Sequence, residues 1–218
     1  MTDNRDEVLF IIRQMCEDNL VLGTWGNVSV KVDDESMWIT PSGMSYDGLC
    51  ATDLVQINFN GTVLKGCWKP SSEWRLHAAL YRGRPDCAAI VHTHSTFATA
   101  FAVARTAIPP VVEDFVQVVG GGVDVAEYAL PGTDCLAQNA LSALADKSAV
   151  LLASHGLVGI APNLTEALKV CRIVEKTAQA VLYAKMLGPV EELSEDDIRA
   201  MRSFYLHSYG PETCGEDV

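Results

Sequence analysis

Apolar positions recur along the chain at two spacings, one close to four residues and one close to two, and their alternation sets the first expectations. Val8, Ile11, Ile12 and Met15 fall at helical spacing, which predicts a helix from Arg5 to Asn19 with Gly23 beyond it as a stop. Short strand-like runs follow at Val28 to Val32, Met37 to Thr40 and Leu54 to Phe59. Asn60-Gly61 is a strong hairpin signal before Val63 and Leu64, so this block reads as antiparallel.

Beyond it, helices and strands alternate. Ser71-Ser72 opens a helix through about Tyr81, Ala88 to His94 reads as a buried strand, and Phe97 to Ala104 as a short helix. Gly120 to Gly122 make a loop, Thr133 to Ala145 a helix, and Ala149 to Ala153 a buried strand ending at Ser154-His155-Gly156. Asn163, with Glu166 three residues later, caps a long helix that ends at Leu187 before Gly188-Pro189. Ser194 and Asp197 open a last helix reaching Tyr209. The pattern predicts an α/β fold of three layers, α/β/α, around a mixed, mostly antiparallel central sheet, without internal repeats. No stretch rich in Pro, Ser or charge divides the 218 residues, so residues 1–218 are read as a single domain.

Composition narrows the function. About half the residues are apolar and a fifth are charged, the profile of a soluble globular chain. A formal charge of -12 argues against nucleic acid, which is bound by an excess of Lys and Arg, and an anionic substrate must meet a local positive field. The apolar runs are too short to span a bilayer, and the start, Thr2, Asp3, Asn4, Arg5, Asp6, Glu7, is polar. Neither a membrane partner nor a signal peptide is expected. Seven cysteines without any C-x-x-C spacing suit a reducing, cytoplasmic setting, and they are read as buried thiols.

The candidate chemistry begins with histidine, of which the chain has five. His92-Thr93-His94 ends one apolar run, where residues i and i+2 share a strand face, and His155 ends another. If the two strands are neighbours, three imidazoles converge at one sheet edge, an open three-histidine arrangement of the catalytic zinc type. The alternative is that His92 and His94 are hydrogen-bonded core histidines, and spacing alone does not decide. Glu73 reads either as a functional carboxylate or as an acid in the first turn of a helix capped by serine. His77, one turn on, reads as a packing or hydrogen-bonding residue. Ser71 and Ser72 at a helix start, Gly23-Thr24-Trp25-Gly26-Asn27-Val28-Ser29 and Thr40-Pro41-Ser42-Gly43 offer N–H and hydroxyl donors for a phosphate.

These segments together resemble the class II aldolase family that contains L-fuculose-phosphate aldolase and L-ribulose-5-phosphate 4-epimerase. The matching stretches are Gly23 to Ser29, Ile39-Thr40-Pro41-Ser42-Gly43, Lys69-Pro70-Ser71-Ser72-Glu73, Val91-His92-Thr93-His94 and Ser154-His155-Gly156-Leu157, in family order. The resemblance implies zinc on His92, His94 and His155, with Glu73 as a further ligand that turns to act as acid and base. Manganese or cobalt suits the same donors. It implies a phosphate held by Thr24, Asn27, Ser42, Gly43, Ser71 and Ser72, and Tyr209 supplied from a neighbouring subunit of a homotetramer, with the segment from about residue 190 at the interface. The implied reaction is cleavage of a ketose 1-phosphate to dihydroxyacetone phosphate and a small aldehyde through an enediolate.

The chain departs from the fuculose-phosphate pattern after Ile108-Pro109, where a tyrosine gives way to Val111-Val112-Glu113-Asp114-Phe115. Glu113 is the nearest replacement as proton donor to the aldehyde oxygen, then Asp114; otherwise both are solvated loop acids. This loop is expected to face the aldehyde, and the small and apolar residues around Ala98 to Ala107 are compatible with lactaldehyde, glycolaldehyde or a larger apolar aldehyde. The competing functions are pentulose-phosphate 4-epimerisation by retro-aldol chemistry, metal-dependent decarboxylation on the same fold, and a non-catalytic module like the adducin head. Family epimerases carry aspartate where this chain has Glu73, which favours the aldolase, and retention of Glu73 with all three histidines argues against the adducin-like module.

Overall fold

The computed structural model describes residues 4–210. Thr2 and Asp3 of the polar start, and Cys214, lie outside these residues. Helix α1 (Arg5–Glu17) buries Val8, Leu9, Ile11, Ile12 and Met15, the stripe its spacing foretold. Strands β1 (Asn27–Asp33), β2 (Ser36–Ile39), β3 (Val55–Asn58) and β4 (Val63–Lys65) form the expected antiparallel block. Its β3–β4 turn needs glycine: Gly61 has φ +86°, and a Cβ there would lie 2.4 Å from the Trp74 ring. Next come α2 (Trp74–Gly83), β5 (Ala89–Thr93), α3 (Thr96–Ala104), α4 (Glu113–Val119), β6 (Val125–Ala126) and α5 (Asp134–Leu144). Strands β7 (Ala149–Leu152) and β8 (Gly156–Ala161), then α6 (Leu164–Leu187) and α7 (Glu195–His207), complete the order. Asn163 and Ser194 cap α6 and α7 as read, accepting from Glu166 N and Asp197 N.

The eight strands form one sheet in the order β4-β3-β2-β1-β5-β8-β7-β6, antiparallel throughout except for the β6–β7 pair. Alternation along the strands feeds two cores. Val28, Val30, Ala89, Val91 and Leu151 face α1, α3, α4 and α6, whereas Ile57, Ile90, Val150, Leu152, Val158 and Ile160 face α2 and α5. The α/β/α layering is therefore as expected.

Three expectations change. The segment at Glu113 and Asp114 is not a loop but the first turn of α4, whose Phe115, Val116, Val118 and Val119 are buried; short apolar runs leave helix and strand unresolved. The Gly156–Ala161 run is a strand, so β5 neighbours β8 rather than β7, and His155 lies in the turn joining β7 to β8. Its two glycines hide the strand signal, and packing requires them: a Cβ on Gly159 would lie 2.8 Å from Cys171 Sγ and 3.0 Å from Ala167 O of α6. Finally, Cys16, Cys50, Cys67 and Cys135 are exposed, and of the described cysteines Cys87 and Cys171 are buried thiols. The exposed four stand at loops and outward helix positions, where sequence spacing carries no burial signal.

Gly156 fixes how closely β8 approaches β5, since a Cβ there would lie 2.3 Å from Thr93 O and 3.3 Å from both the His92 and His94 rings. Gly156→Ala is expected to cost about 1–3 kcal/mol, the usual range for overpacking. Gly188→Ala, where the added carbon meets nothing within 4 Å, serves as the neutral comparison. Denaturant unfolding of the two variants checks this, and equal stability would refute the close approach.

Candidate metal centre

The site is assembled where β1, β5 and the β7–β8 turn meet the start of α2. Register places Asn27 of β1 opposite His92 of β5, and His92 opposite Val158 of β8. His92 is fully buried, and its Nδ1 lies 2.9 Å from Leu157 O. A carbonyl only accepts, so Nδ1 donates, and whenever the ring is neutral it is Nε2 that faces the site bare. His94 follows the strand end, tied through its N–H to Leu20 O at 3.0 Å. His155 is delivered by a tight turn in which Ser154 adopts φ 56° and the Ser154 N–H bonds Ala102 O of α3.

The three rings converge. His92 Nε2 lies 3.0 Å from His94 Nε2 and 3.3 Å from His155 Nε2, and Glu73 closes the group with Oε2 3.2 Å from His92 Nε2 and Oε1 3.5 Å from His155 Nε2. Glu73 precedes α2 at its N-cap position but makes no capping bond, which corrects the bland alternative: its side chain faces the imidazoles. Oε2 accepts from Asn27 Nδ2 at 2.9 Å, whereas Oε1 is buried without a hydrogen-bond partner.

The donor chemistry passes a test for a divalent cation. Tetrahedral ligands at the usual Zn–N length of ~2.0–2.1 Å stand about 3.3 Å apart, close to the spacing of these nitrogens, and the ligand atoms of the three histidines all lie within 4.8 Å of one another. An orphaned carboxylate oxygen and converging lone pairs call for positive charge.

Electrostatics favours unprotonated rings at His94 and His155. Burial, reinforced by the neighbouring imidazoles, pushes His94 down to about 3 and His155 to about 4. Burial would raise the Glu73 carboxyl, but attraction and hydrogen bonding to His92, then His155 and Asn27, hold it well below the carboxylate range. His92 is likewise pulled down by burial, and the facing Glu73 carboxylate outweighs that and raises it. His77, fully buried, is pushed down to about 3 by burial and stays neutral.

Over this cluster lies a cavity of about 590 Å³. Glu73, His94 and His155 line it, with all six residues singled out for phosphate: Thr24, Asn27, Ser42, Gly43, Ser71 and Ser72. The two serine loops are zipped together by Ser42 N–H to Lys69 O at 2.8 Å and Ser71 N–H to Thr40 O at 2.9 Å. Those two N–H groups are thereby spent, so the anion donors left are the N–H groups of Gly43 and Ser72 and the side-chain hydroxyls, beside the positive end of α2. No Lys or Arg lines this cavity. The Asn27 side chain, expected on the phosphate, instead bonds Glu73 and His77.

Glu113 and Tyr209 are not brought to this cavity. Glu113 is exposed on α4, Asp114 pairs with Lys176 of α6 at 2.5 Å, and Tyr209, 65% exposed, stacks on Tyr205. Nor does the Ala98 to Ala107 segment line it; Ala98 to Ala104 belong to α3 behind the sheet. The wall there is Trp25, Tyr128, Ala129 and Pro131. The sequence reading missed the last three because nothing local marks them, whereas the Glu73, His77, Tyr81 spacing on one helix face was a usable signal for buried partners of Glu73.

A three-layer α/β domain with three histidines and a glutamate converging beneath a cavity lined by hydroxyl and N–H donors has the donor set of a metal-dependent enzyme. Residues 6–182 match the family described as Class II Aldolase and Adducin N-terminal domain. The chain is 38% identical over 186 residues to L-fuculose phosphate aldolase of Escherichia coli, covering 85% of this chain and 86% of that protein. It is 34% identical over 209 residues to 5-deoxy-D-ribulose 1-phosphate aldolase of Bacillus thuringiensis, covering 95% and 97%. A solved structure of L-fuculose 1-phosphate aldolase matches with a TM-score of 0.90 at 36% identity, over 94% of this chain and 97% of that one. The chain therefore belongs to the class II aldolase and adducin N-terminal domain family, and it is an enzyme of the class II aldolase kind.

The depressed His77 has a consequence for stability. Its folded-state pKa of about 3 lies below the ordinary ~6.5, so acid protonates the unfolded chain first and the folded state loses stability as pH falls below that ordinary value. Between pH 7 and pH 5 this amounts to roughly 2 kcal/mol. Unfolding measured in EDTA is expected to show that much smaller a loss for His77→Gln than for the wild type, and equal losses would show that folded His77 takes up the proton.

Proposed function

We propose that the chain is a zinc-dependent aldolase that cleaves a ketose 1-phosphate, of the L-fuculose 1-phosphate kind, into dihydroxyacetone phosphate and a small aldehyde. The observation that carries this reading is the meeting of three imidazoles and Glu73 on the floor of a cavity walled by anion donors. His92, His94 and His155 hold the cation, with Glu73 beside it. When bound, the cation supplies Lewis acidity to the ketose carbonyl and adjacent hydroxyl, stabilising the negative charge left when the carbon–carbon bond breaks.

The protein's own groups do the rest. The donors of Thr24, Ser42, Gly43, Ser71 and Ser72 hold the phosphate and fix the distance from phosphorus to the reacting carbons. Glu73, kept anionic, moves a proton at the carbon of the dihydroxyacetone fragment. Proton transfer at the aldehyde oxygen falls to Tyr209 or Glu113 of a second copy in a homotetramer, because neither lines the cavity of its own chain. The exposed Phe204, Leu206 and Tyr209 at the end of α7 supply the apolar surface for that contact. The aromatic and apolar wall of Trp25, Tyr128, Ala129 and Pro131 favours an aldehyde with a deoxygenated end over a polyhydroxylated one.

Zinc-loaded protein incubated with dihydroxyacetone phosphate and a panel of lactaldehyde, glycolaldehyde, acetaldehyde and a methylthio-substituted aldehyde is expected to form ketose 1-phosphate, identified by product mass. Glu73→Gln is expected to lower turnover by about 10²–10⁴-fold. Undiminished turnover in that variant removes Glu73 from the chemistry, and failure across the panel turns the assignment to epimerisation or decarboxylation.

A further inference from the structure

Behind the metal centre lies a row of buried polar side chains that ligand binding does not account for. Glu73, His77 and Tyr81 are spaced four residues apart and share one face at the start of α2, and Asn27 and Ser29, two apart on β1, face them. His77 and Ser29 are fully buried, and Asn27 and Tyr81 nearly so. The contacts run in single file. Tyr81 OH lies 2.8 Å from Ser29 Oγ, Ser29 Oγ 2.6 Å from His77 Nδ1, His77 Nε2 2.5 Å from Asn27 Oδ1, and Asn27 Nδ2 2.9 Å from Glu73 Oε2.

The chemistry of the last link fixes the direction of all the others. A carboxylate only accepts, so the amide nitrogen of Asn27 faces Glu73 and its oxygen faces His77. That oxygen also only accepts, so His77 Nε2 carries the proton, and in a neutral ring Nδ1 accepts from the Ser29 hydroxyl. With its hydrogen committed, Ser29 accepts from Tyr81. Every bond thus donates toward Glu73, and aligned hydrogen bonds in a low-dielectric interior strengthen one another.

We propose that Tyr81, Ser29, His77 and Asn27 form a unidirectional positioning relay that locks the Glu73 carboxylate against the three-histidine cluster. His77 is a positioning residue: it acts through Asn27 and touches neither substrate nor cation. The relay orients Oε2 and leaves Oε1 free to turn toward the cavity, and it rests on the role of Glu73 proposed above.

The test uses the full-length protein loaded with zinc for kinetics, and with cobalt as a visible probe. His77→Leu removes both ring contacts, His77→Gln restores a donor at the Nε2 position, Ser29→Ala frees the ring tautomer, and Thr177→Val, fully buried and outside the relay, is the control. We expect His77→Leu and Ser29→Ala to lower kcat and to weaken cobalt binding, each by about 10- to 100-fold. The KM for the ketose phosphate should stay within about twofold, and His77→Gln should recover most of the loss. Thr177→Val should behave as wild type. The relay is overturned if folded His77→Leu and Ser29→Ala keep wild-type kcat and cobalt affinity, or if His77→Gln is as impaired as His77→Leu with KM rising in parallel. Should His77→Leu not fold, Ser29→Ala decides alone. If Glu73→Gln itself keeps full turnover, the proposed function fails instead, and cobalt affinity alone then decides the relay.

Discussion

A buried carboxylate pressed against three converging imidazoles is the constraint around which this structure is arranged. Acceptors crowd together at 3.0–3.5 Å, and Glu73 Oε1 has no donor. Leaving a charged acceptor buried and unmatched costs several kcal/mol, more than a surface contact returns, so the group is held only because the framework over-determines it. The framework is visible in the backbone: Gly26 and Gly156 let their segments come within contact of the His92 and Thr93 carbonyls, and Ser154 accepts a left-handed conformation to deliver His155. A divalent cation held by His92, His94 and His155 would resolve the same crowding by giving the converging lone pairs a shared positive partner.

On the proposed reading, a chain with a charge of -12 would hold an anion through a local positive field. The cavity carries no Lys or Arg, so the local positive field would come from backbone dipoles, the start of α2 and a cation held by the histidines. Such a field is fixed in space and costs little reorganisation when charge develops on the substrate. A mobile lysine in the same place would be a better counter-ion for phosphate but a poorer ruler, since its flexible stem does not fix the distance to the reacting carbons.

The sequence showed most of the framework and the histidines that converge, for a physical reason. Helix periodicity in α1, the Asn60-Gly61 turn and the caps at Asn163 and Ser194 are local signals, and each is matched in the structure. The two apolar runs ending in histidine were legible for the same reason, but their meeting was not: it depends on β8, whose two glycines carry no strand signal and are required only by packing against the imidazoles and α6. The cavity wall at Tyr128 to Pro131 and the helical state of Glu113 were also out of reach, because both are settled by tertiary contacts rather than by neighbours in the chain. His77 was read as a packing or hydrogen-bonding residue. Its partners Ser29 and Tyr81 stayed hidden because they lie across two elements whose registration the sequence does not specify.

Helix α2 ties these parts into one device. Its N-terminal end faces the anion donors, Glu73 stands at that same end against the histidines, and its inner face carries His77 and Tyr81 down to β1. The hydroxyl and N–H donors of the cavity and the Glu73 carboxylate are therefore spaced by helix and sheet geometry rather than by flexible side chains. The cavity's other wall has the opposite character: Tyr128, Ala129 and Pro131 come from the segment between β6 and α5, outside the sheet's hydrogen-bond ladder. On the proposed reading, chemistry anchored on rigid elements and selectivity carried by a loop could vary independently, so that one site could be adapted to different aldehydes.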